Sequence, residues 1–190
     1  VAVRFPENKT LRKILKSLNF PLAIPSANKS TRVSPVSAKD VFNEFRNSLK
    51  FILDGGSCVI GIESTVVDLT SKAKILRPGL INSLNISKTL KKRVAVYRGS
   101  KNIKAPGMLK IHYSPGIPIK LNQKTAKDNE AFIVFGKKYK KNKNIFNLSK
   151  KSNLNEAARN LYKTLRLIKK KRYKMICVTK IPQTGIGLAI

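Results

Sequence analysis

A hydroxyl and an amide side chain follow a short apolar run near the start of the chain. The run is PLAIP at residues 21–25, and Ser26-Ala27-Asn28 comes directly after it. Because the ring of Pro25 keeps the residue before it extended, the run predicts a short buried strand that ends in a polar loop. Polar groups at a strand end are positioned to meet a ligand. The same side chains also satisfy backbone groups in turns, and both interpretations stay open.

Metal and thiol chemistry have little support in the sequence. The single histidine, His112, has no cysteine or histidine partner at metal-ligand spacing. Cys58 and Cys177 each lie in an apolar run, CVIGI and MICVT, which is typical of small core side chains in a reducing compartment. No acidic cluster marks a magnesium site. We therefore expect no resident metal, no disulfide and no catalytic role for His112.

The net charge of +31, from 40 Lys and Arg against 9 Asp and Glu, indicates an anionic partner such as RNA or a nucleotide. Much of the excess is lysine mixed with asparagine and isoleucine, a pattern that AT-rich coding produces without selection for binding. The lysine runs at 137–151 and 169–174 lack regular aromatic interleaving for base stacking, so they are either solvated surface or a tRNA site. Either way, the field should attract ATP, pyrophosphate and tRNA in a salt-dependent manner.

The elements that must position these groups begin with a strand and a helix. Residues 1–5 alternate as a strand. The helix after it has an apolar face of Leu11, Ile14, Leu15 and Leu18. Ser37 and Asp40 then form a capping-box-like pair before a second helix. The apolar side chains of that helix are Val41, Phe42, Phe45 and Leu49.

Several β-rich runs follow the second helix. They are FILD, CVIGI, STVVDL and KILRPG, at 51–54, 58–62, 64–69 and 74–79. A short helical stretch is predicted near 83–92. Helices interleaved with strands favour a mixed α/β fold, a twisted and partly antiparallel sheet with helices packed on it, over residues 1–92.

The rest of the chain divides into a linker and a smaller domain. Residues 93–116 are rich in proline and glycine without helical periodicity, which predicts either a linker or a cover over a site. From residue 117, the strands EAFIVFG and MICVT flank a helix capped by Asn153 and Glu156. Its predicted apolar face is Leu154, Ala157, Ala158, Leu161, Leu165 and Ile168. This pattern predicts a small α/β accessory domain at 117–190.

The sequence at the two ends and the lengths of the apolar runs lead to expectations about truncation, membrane segments and compartment. The chain starts inside an apparent strand without an initiator methionine and stops at TGIGLAI, which has the pattern of a helix start, so we expect both ends to be cut. The apolar runs are strand-sized and too short to cross a bilayer. We expect a cytoplasmic protein with no membrane segment.

Taken in order and spacing, the motifs VAVRFP, PLAIPSANKSTRVSPVSA, ILDGG, GIESTVVDLT and ILRPG resemble the second half of the YrdC-like catalytic domain of threonylcarbamoyl-AMP synthases. The segment APGMLKIHYSP resembles the linker of the long family members. EAARNLYKTLR and GIGLAI resemble their C-terminal accessory domain. The resemblance spans nearly the whole chain and is strongest over residues 1–80.

The resemblance implies an activation reaction on threonine. The threonine amine captures bicarbonate or carbon dioxide, and the carbamate attacks the α-phosphate of ATP, releasing pyrophosphate. Other, tRNA-modifying transferase proteins then move the threonylcarbamoyl group onto tRNA. The implied substrates are L-threonine, bicarbonate and ATP, with Mg²⁺ arriving on the ATP phosphates. Guanidinium forks and hydroxyl donors match the carboxylate of threonine and the charge of a triphosphate.

The resemblance also implies roles for particular residues. The residues expected at threonine are Arg4, Ile24 and Ser64. Those expected at ATP are Ser26, Asn28, Ser34, Arg77 and Tyr113, with Tyr113 closing the linker over the nucleotide. No catalytic base is implied.

Each of these roles has a structural alternative. Arg4 and Arg77 also suit solvent-facing positions, Ser64 also suits a sheet, and Ile24 also suits a plain core position. Ser34 before Pro35 also suits a helix entry. Tyr113 and His112 also suit packing of the linker onto the domain.

The sequence departs from the family pattern in one respect, since no equivalent of the family's basic K-x-R type phosphate-binding motif occurs in it. Two alternatives to the synthase therefore stay open. One is a basic RNA-binding or translation-associated module without catalysis, and the other is a degenerate remnant without activity. Dependence on threonine separates the enzyme from the RNA binder, because a nonspecific RNA binder does not recognise a free amino acid.

Overall fold

The computed structural model describes residues 1–97, 105 and 112–190. The chain separates into two compact units, one of Val1–Lys29 with Ser34–Cys58 and one of Ser30–Val33 with Val59–Ile190. Within the described part of the chain, no helix is long and apolar enough to span a membrane. Each unit is described below by itself.

The first unit contains helices only, and the second contains helices and strands. The helices are α1 Lys9–Ser17, α2 Ala38–Phe45, α3 Ser83–Leu90 and α4 Leu154–Lys170, with 3₁₀ turns at Arg46–Ser48 and Gly185–Ala189. The strands are β1 Val66–Asp68, β2 Lys74–Arg77, β3 Ala95–Val96, β4 Ile119–Lys120, β5 Glu130–Val134, β6 Ile145–Asn147 and β7 Met175–Val178.

The first unit contains α1 and α2, as predicted. The Ser37 side chain accepts from the backbone N–H of Asp40 at 3.2 Å, and the Asp40 carboxylate accepts from the N–H of Val36 at 3.3 Å. The predicted capping pair of α2 is therefore confirmed, because both side chains satisfy donors at the helix start. The regular helix ends at Phe45, four residues short of Leu49.

Four predicted strands are wrong: 1–5, 21–25, 51–54 and 58–62 form no strand. Apolar side chains in two of them, Phe5 and Phe51, are 82% and 90% exposed. A strand needs hydrogen bonds from a neighbouring strand. Residues 1–29 and 34–58, all of which are described, form no strand that can supply them. The apolar patterns of 1–5, 21–25 and 51–54 are therefore insufficient to make a sheet in the first unit, and the run 58–62, which lies almost wholly in the second unit, forms no strand either.

The second unit contains two sheets. The first has the order β1-β2-β3, with β1 antiparallel to β2 and β2 parallel to β3. Its register is offset between Val66 and Val67, and Ile75 at its centre is 1% exposed. The strands predicted at 64–69 and 74–79 are thus confirmed, in the mixed sheet that the sequence predicted. Strand β3 lies at the start of the predicted linker 93–116, and residues 98–104 and 106–111 of that linker lie outside the described residues.

The second sheet is parallel throughout, in the order β4-β7-β5-β6. Its central strands β5 and β7 are apolar except for Glu130, and four residues of β5 and two of β7 are buried, as expected for parallel strands. Residues of α4 are buried at Ala157, Ala158, Tyr162, Leu165 and Ile168. The β-α-β pattern predicted from residue 117 is therefore confirmed, although Tyr162 belongs to the buried face and was not among the predicted residues.

The predictions for the two cysteines and for the C-terminal segment have different outcomes. Cys177 is 3% exposed and lies in a core cluster with Phe132 and Val134, as predicted. Cys58 is exposed, so its prediction as a core side chain is wrong, because its run forms no strand that would bury it. The predicted helix start TGIGLAI is a 3₁₀ turn, Gly185–Ala189.

We expect Ile176→Ala to lower the free energy of unfolding by about 2–5 kcal/mol, because Ile176 is 0% exposed and its removal leaves a cavity. Ile119→Ala is the matched control, since Ile119 is its register partner across β4 and β7 and is 43% exposed. Urea unfolding monitored by circular dichroism measures both. Equal losses in the two variants would contradict the central position of β7 in this core.

Candidate functional site

The predicted site residues of the first unit lie in segments without helix or strand. Arg4, Ile24 and Ser26 are exposed, and Ile24 retains 47% of its surface, so its interpretation as plain core is wrong. The run 21–25 forms no strand to bury it. Asn28 is half-buried and Ser34 is 8% exposed.

Ser34 and Asn28 are in contact across a six-residue loop. The Ser34 hydroxyl donates to Asn28 Oδ1 at 3.3 Å, and Asn28 Nδ2 donates to the carbonyl of Lys29 at 2.9 Å. The amide therefore fixes the loop and the buried hydroxyl together. The structure brings these two predicted ATP residues together, and both also satisfy local loop groups.

The predicted residues of the second unit meet at the guanidinium of Arg77. Its Nε donates to the carbonyl of Ser64 at 2.9 Å, and its Nη1 donates to the hydroxyl of Tyr113 at 2.7 Å. Arg77 ends β2, and Ser64 lies just before β1, the antiparallel neighbour of β2. Strand pairing therefore brings Ser64 and Arg77 together, and the arginine reaches from the sheet to Tyr113.

Glu63 forms an ion pair with Arg77 in this cluster. Its carboxylate Oε2 lies 3.9 Å from Arg77 Nη2, and the two side chains are 19% and 12% exposed. The guanidinium is thus largely shielded from water, donates hydrogen bonds to two partners and forms an ion pair with a third. This arrangement holds the plane of the fork in one orientation, as recognition of a carboxylate or phosphate requires.

Gly79 explains why the turn after β2 lies so close to the Glu63-Ser64-Thr65 backbone. A Cβ on Gly79 would lie 2.4 Å from the nitrogen of Thr65 and 2.7 Å from the carbonyl oxygen of Glu63. Only glycine allows this approach. The hydroxyl of Thr65 also donates to the carbonyl of Ile81 at 2.7 Å, which fastens the two segments on the other side.

Tyr113 reaches Arg77 from a strained backbone. Its φ is +51°, in the left-handed region that is uncommon for a residue with a large side chain. Its ring stands edge-on to His112, with centroids 4.7 Å apart, and its centroid lies 5.9 Å from that of Tyr162 on α4. The next residue, Ser114, donates its N–H to the carbonyl of Thr31 at 2.8 Å. Contacts on each side therefore hold Tyr113 in this conformation.

Burial raises the pKa of the Tyr113 hydroxyl above its usual range, the positive charge of Arg77 opposes that rise, and Glu63 adds to it. Burial also raises the pKa of Tyr162, with smaller additions from Glu63 and Tyr113. Both phenols therefore stay neutral at physiological pH. A neutral Tyr113 accepts from Arg77 and keeps its own proton to donate to a ligand.

The sequence missed two members of this cluster. Glu63 stands directly before Ser64 in GIEST, and a lone acid beside a predicted anion site in a chain of +31 is a signal that such a residue balances a cation. Tyr162 lies four residues after Ala158 and three before Leu165, so the helical spacing already places it on the buried face. Its contact with Tyr113 depends on tertiary structure.

The chemistry available in the second unit is anion recognition. It combines a fork-shaped cation with the neutral phenol of Tyr113, beside the backbone that leads into the paired strands. In the described ranges, 1–97, 105 and 112–190, no group of three or more His, Cys, Asp or Glu side chains is placed to hold a metal ion. The donor set fits a carboxylate or phosphate better than a cation.

Comparison with known families agrees with this chemistry. A family model described as Telomere recombination matches residues 1–79. A second model, described as Threonylcarbamoyl-AMP synthase, C-terminal domain, matches residues 74–190. This chain belongs to the threonylcarbamoyl-AMP synthase family. The two models follow each other along the chain in the order that the sequence motifs predicted.

Individual members of the family align along most of the chain. The threonylcarbamoyl-AMP synthase of Pyrococcus abyssi is 33% identical over 210 residues, which cover 100% of this chain and 61% of the relative. The crystal structure of P. abyssi Sua5 complexed with L-threonine matches with a TM-score of 0.73 and 30% identity, over 87% of this chain and 54% of that one.

A variant of P. abyssi Sua5, in which an adjacent histidine and tyrosine are both alanine, matches with a TM-score of 0.83 and 29% identity over 100% of this chain and 60% of that one. The mixed α/β fold class predicted from the sequence is confirmed by this match. The chain spans about three fifths of the length of the P. abyssi relative.

We expect the free energy of unfolding to fall as pH rises above about 10, because the raised pKa values of Tyr113 and Tyr162 make deprotonation costlier in the folded chain than in the unfolded one. This stabilisation is complete below the ordinary tyrosine pKa and is lost as pH climbs through the raised values. Tyr162→Phe removes one of the two groups and should therefore lose less stability between about pH 9 and pH 11. Thermal unfolding across this range measures the difference. Tyr173→Phe is the control, and identical pH profiles for both variants would contradict the effect.

Proposed function

We propose that this protein is a threonylcarbamoyl-AMP synthase and therefore a nucleotidyltransferase. The threonine nitrogen bonds to the carbon of carbon dioxide with loss of a proton, or to the carbon of bicarbonate with loss of water, and either route forms a carbamate. A carbamate oxygen then bonds to the α-phosphorus of ATP while the bond from that phosphorus to the bridging oxygen of pyrophosphate breaks. The products are threonylcarbamoyl-AMP and pyrophosphate.

The observation that carries the proposal is the fork of Arg77 held between Ser64, Glu63 and Tyr113. Glu63, Ser64 and Arg77 stand in the motifs GIESTVVDLT and ILRPG, through which the chain resembles the family catalytic domain, and Tyr113 stands in the linker motif APGMLKIHYSP. Family membership supports the same reaction. A similar protein has been crystallised with L-threonine, which supports threonine as the amino acid.

The residues divide between the two substrates. Arg4, Ile24 and Ser64 are proposed at threonine, and the proposed ATP residues are Ser26, Asn28, Ser34, Arg77 and Tyr113. Positioning and charge stabilisation supply the catalysis, because two polyatomic anions must be held in line while negative charge moves from the carbamate to pyrophosphate. On ligand arrival, Arg77 exchanges part of its contact with Glu63 for a phosphate oxygen, and the Tyr113 hydroxyl donates a hydrogen bond to the ligand while keeping its proton.

The proposed reaction also implies the remaining substrates, a protein that consumes the product, and a compartment. Mg²⁺ enters on the phosphates of ATP as part of the substrate, and bicarbonate supplies the carbonyl carbon. A transferase that modifies tRNA consumes the product, and the reaction takes place in the cytoplasm. The division into a catalytic part at 1–92, a covering linker at 93–116 and an accessory domain at 117–190 belongs to the same proposal.

We expect pyrophosphate release to depend on threonine when the protein, expressed from its complete coding sequence, is incubated with ATP, Mg²⁺ and bicarbonate. Arg77→Met should lower kcat/KM for ATP by about 10- to 100-fold, the equivalent of one or two charge-assisted hydrogen bonds. The matched control is Arg93→Met, because Arg93 is exposed and lies outside the cluster. Release that is unaffected by threonine, or equal losses in the two variants, would count against the proposal.

A second partner, tRNA, is proposed at the basic surface of residues 137–143 and 169–174. The hydroxyl of Tyr173 donates to the carbonyl of Lys143 at 3.0 Å, which joins the two lysine runs. The ring of Phe146 lies 5.8 Å from that of Tyr173 and 5.5 Å from Lys171 Nζ. The fold thus places aromatic rings among lysines that are far apart in the sequence, and this pairing suits an RNA backbone with unstacked bases.

We expect the double variant Lys171→Glu/Lys174→Glu to bind a tRNA transcript about tenfold or more weakly and to show a shallower dependence of log K on log salt, by about one to two. Lys9→Glu/Lys13→Glu changes the net charge equally and is the control, since both lysines lie on α1. Fluorescence anisotropy at several salt concentrations measures both. Equal weakening in the two variants would show that the whole-chain charge, rather than this surface, binds the RNA.

A further inference from the structure

One face of α4 contacts three separate segments of the chain. Arg159, Tyr162 and Arg166 are spaced three and four residues apart, so they lie along one side of the helix. Their partners are Val59, Tyr113 and Val33. Each partner lies in a segment that carries, or directly precedes, a residue proposed at the site. All of these contacts are inside the second compact unit.

The first contact fixes the segment that leads into Ser64. Arg159 Nε donates to the carbonyl of Val59 at 3.0 Å. A Cβ on Gly61 would lie 2.3 Å from the carbonyl oxygen of Arg159 and 2.9 Å from that of Ala158, so this segment rests directly on the helix backbone. Gly61 is three residues before Ser64, whose carbonyl accepts from Arg77.

The second contact supports the tyrosine that holds Arg77. Tyr162 is 6% exposed, and its ring lies tilted by 32° against that of Tyr113, with 5.9 Å between centroids. Tyr113 has a left-handed φ of +51°, a conformation that persists only when surrounding contacts hold it. The ring of Tyr162 is one of these contacts, so the position of the Tyr113 hydroxyl under Arg77 depends on α4.

The third contact fixes the residue before Ser34. Arg166 Nη1 donates to the carbonyl of Val33 at 3.1 Å, and Val33 is 3% exposed. Next to it along the chain, Arg32 forms a parallel bridge with Ser114, the residue that follows Tyr113. The second and third contacts of α4 are therefore joined to each other through a backbone bridge.

We propose that α4, through the face of Arg159, Tyr162 and Arg166, is a brace that positions the nucleotide-binding groups Arg77 and Tyr113. Tyr162 is its central positioning residue, acting through Tyr113. This inference rests on the proposed function and assigns the C-terminal domain a part in ATP recognition. The reason is that one rigid helix contacts three segments whose relative placement decides where the Arg77 fork points.

The test compares three variants of the protein expressed from its complete coding sequence. Tyr162→Ala removes the ring, Tyr162→Phe keeps it, and Lys163→Ala changes an exposed neighbour on the same helix turn. The readouts are KM for ATP and for threonine, kcat, and backbone amide hydrogen exchange of residues 59–65 and 112–116 in the ligand-free protein. Thermal unfolding shows that each variant is folded.

We expect Tyr162→Ala to raise KM for ATP by about threefold to tenfold, the range that loss of one aromatic pair predicts. KM for threonine should change less, and amide exchange should become faster in both segments. Tyr162→Phe should restore wild-type values, because the ring rather than the hydroxyl makes the contact. A general loss of stability would instead change both KM values together and would speed amide exchange outside the two segments as well.

Two results would overturn the brace. One is amide exchange in Tyr162→Ala that matches Lys163→Ala in both segments. The other is faster exchange with an unchanged KM for ATP, which would mean that α4 orders these segments without affecting the nucleotide. If the wild-type protein lacks threonine-dependent pyrophosphate release, the proposed function fails separately. In that case, amide exchange in the two segments and the affinity for ATP, measured by calorimetry in place of KM, still test whether α4 acts as a brace, and the same two results would overturn it.

Discussion

The guanidinium of Arg77 is the interaction on which the site in the second unit depends. It donates to the Ser64 carbonyl and the Tyr113 hydroxyl and pairs with Glu63, and these groups come from the strand pair β1–β2 and from the segment around residue 113. A planar fork satisfies such partners only in one orientation. Everything that places those partners, including the close approach of Gly79 to the 63–65 backbone, therefore acts on where Arg77 points.

The two units differ in how their elements are held. In the second unit, a parallel sheet buries β5 and β7 almost completely, and α4 adds a line of small and large apolar side chains. The first unit has two short capped helices, and many of its large apolar side chains are exposed. Local signals such as capping side chains are sufficient for helices, whereas strands need partners that are remote in sequence.

Helix α4 is partly buried in the second unit and also contacts segments next to the proposed site residues. Five side chains of its inner face are buried, and its side chains Arg159, Tyr162 and Arg166 contact segments that carry or precede proposed site residues. A helix anchored in a core is a rigid element, so its contacts fix the positions of the groups that pack against it. In the same unit, the segments before β6 and β7 lie at the edge where parallel strands begin, and Tyr173 joins them through its bond to Lys143.

The sequence by itself determined the family, the helices with their caps at Ser37 and Asn153 and the strands β1, β2, β5 and β7, and it predicted Ser64 and Arg77 as site residues, which the structure places in contact. These features depend on local spacing and on motifs that are contiguous in the chain. Tertiary structure decided that residues 1–5 and 51–54 form no strands, that Cys58 and Ile24 are exposed, and that Glu63 and Tyr162 join the Arg77 cluster. The physical reason is that strand pairing, burial and the contact between Tyr113 and Tyr162 depend on groups far apart in the chain, and no local pattern encodes which distant group will be the neighbour.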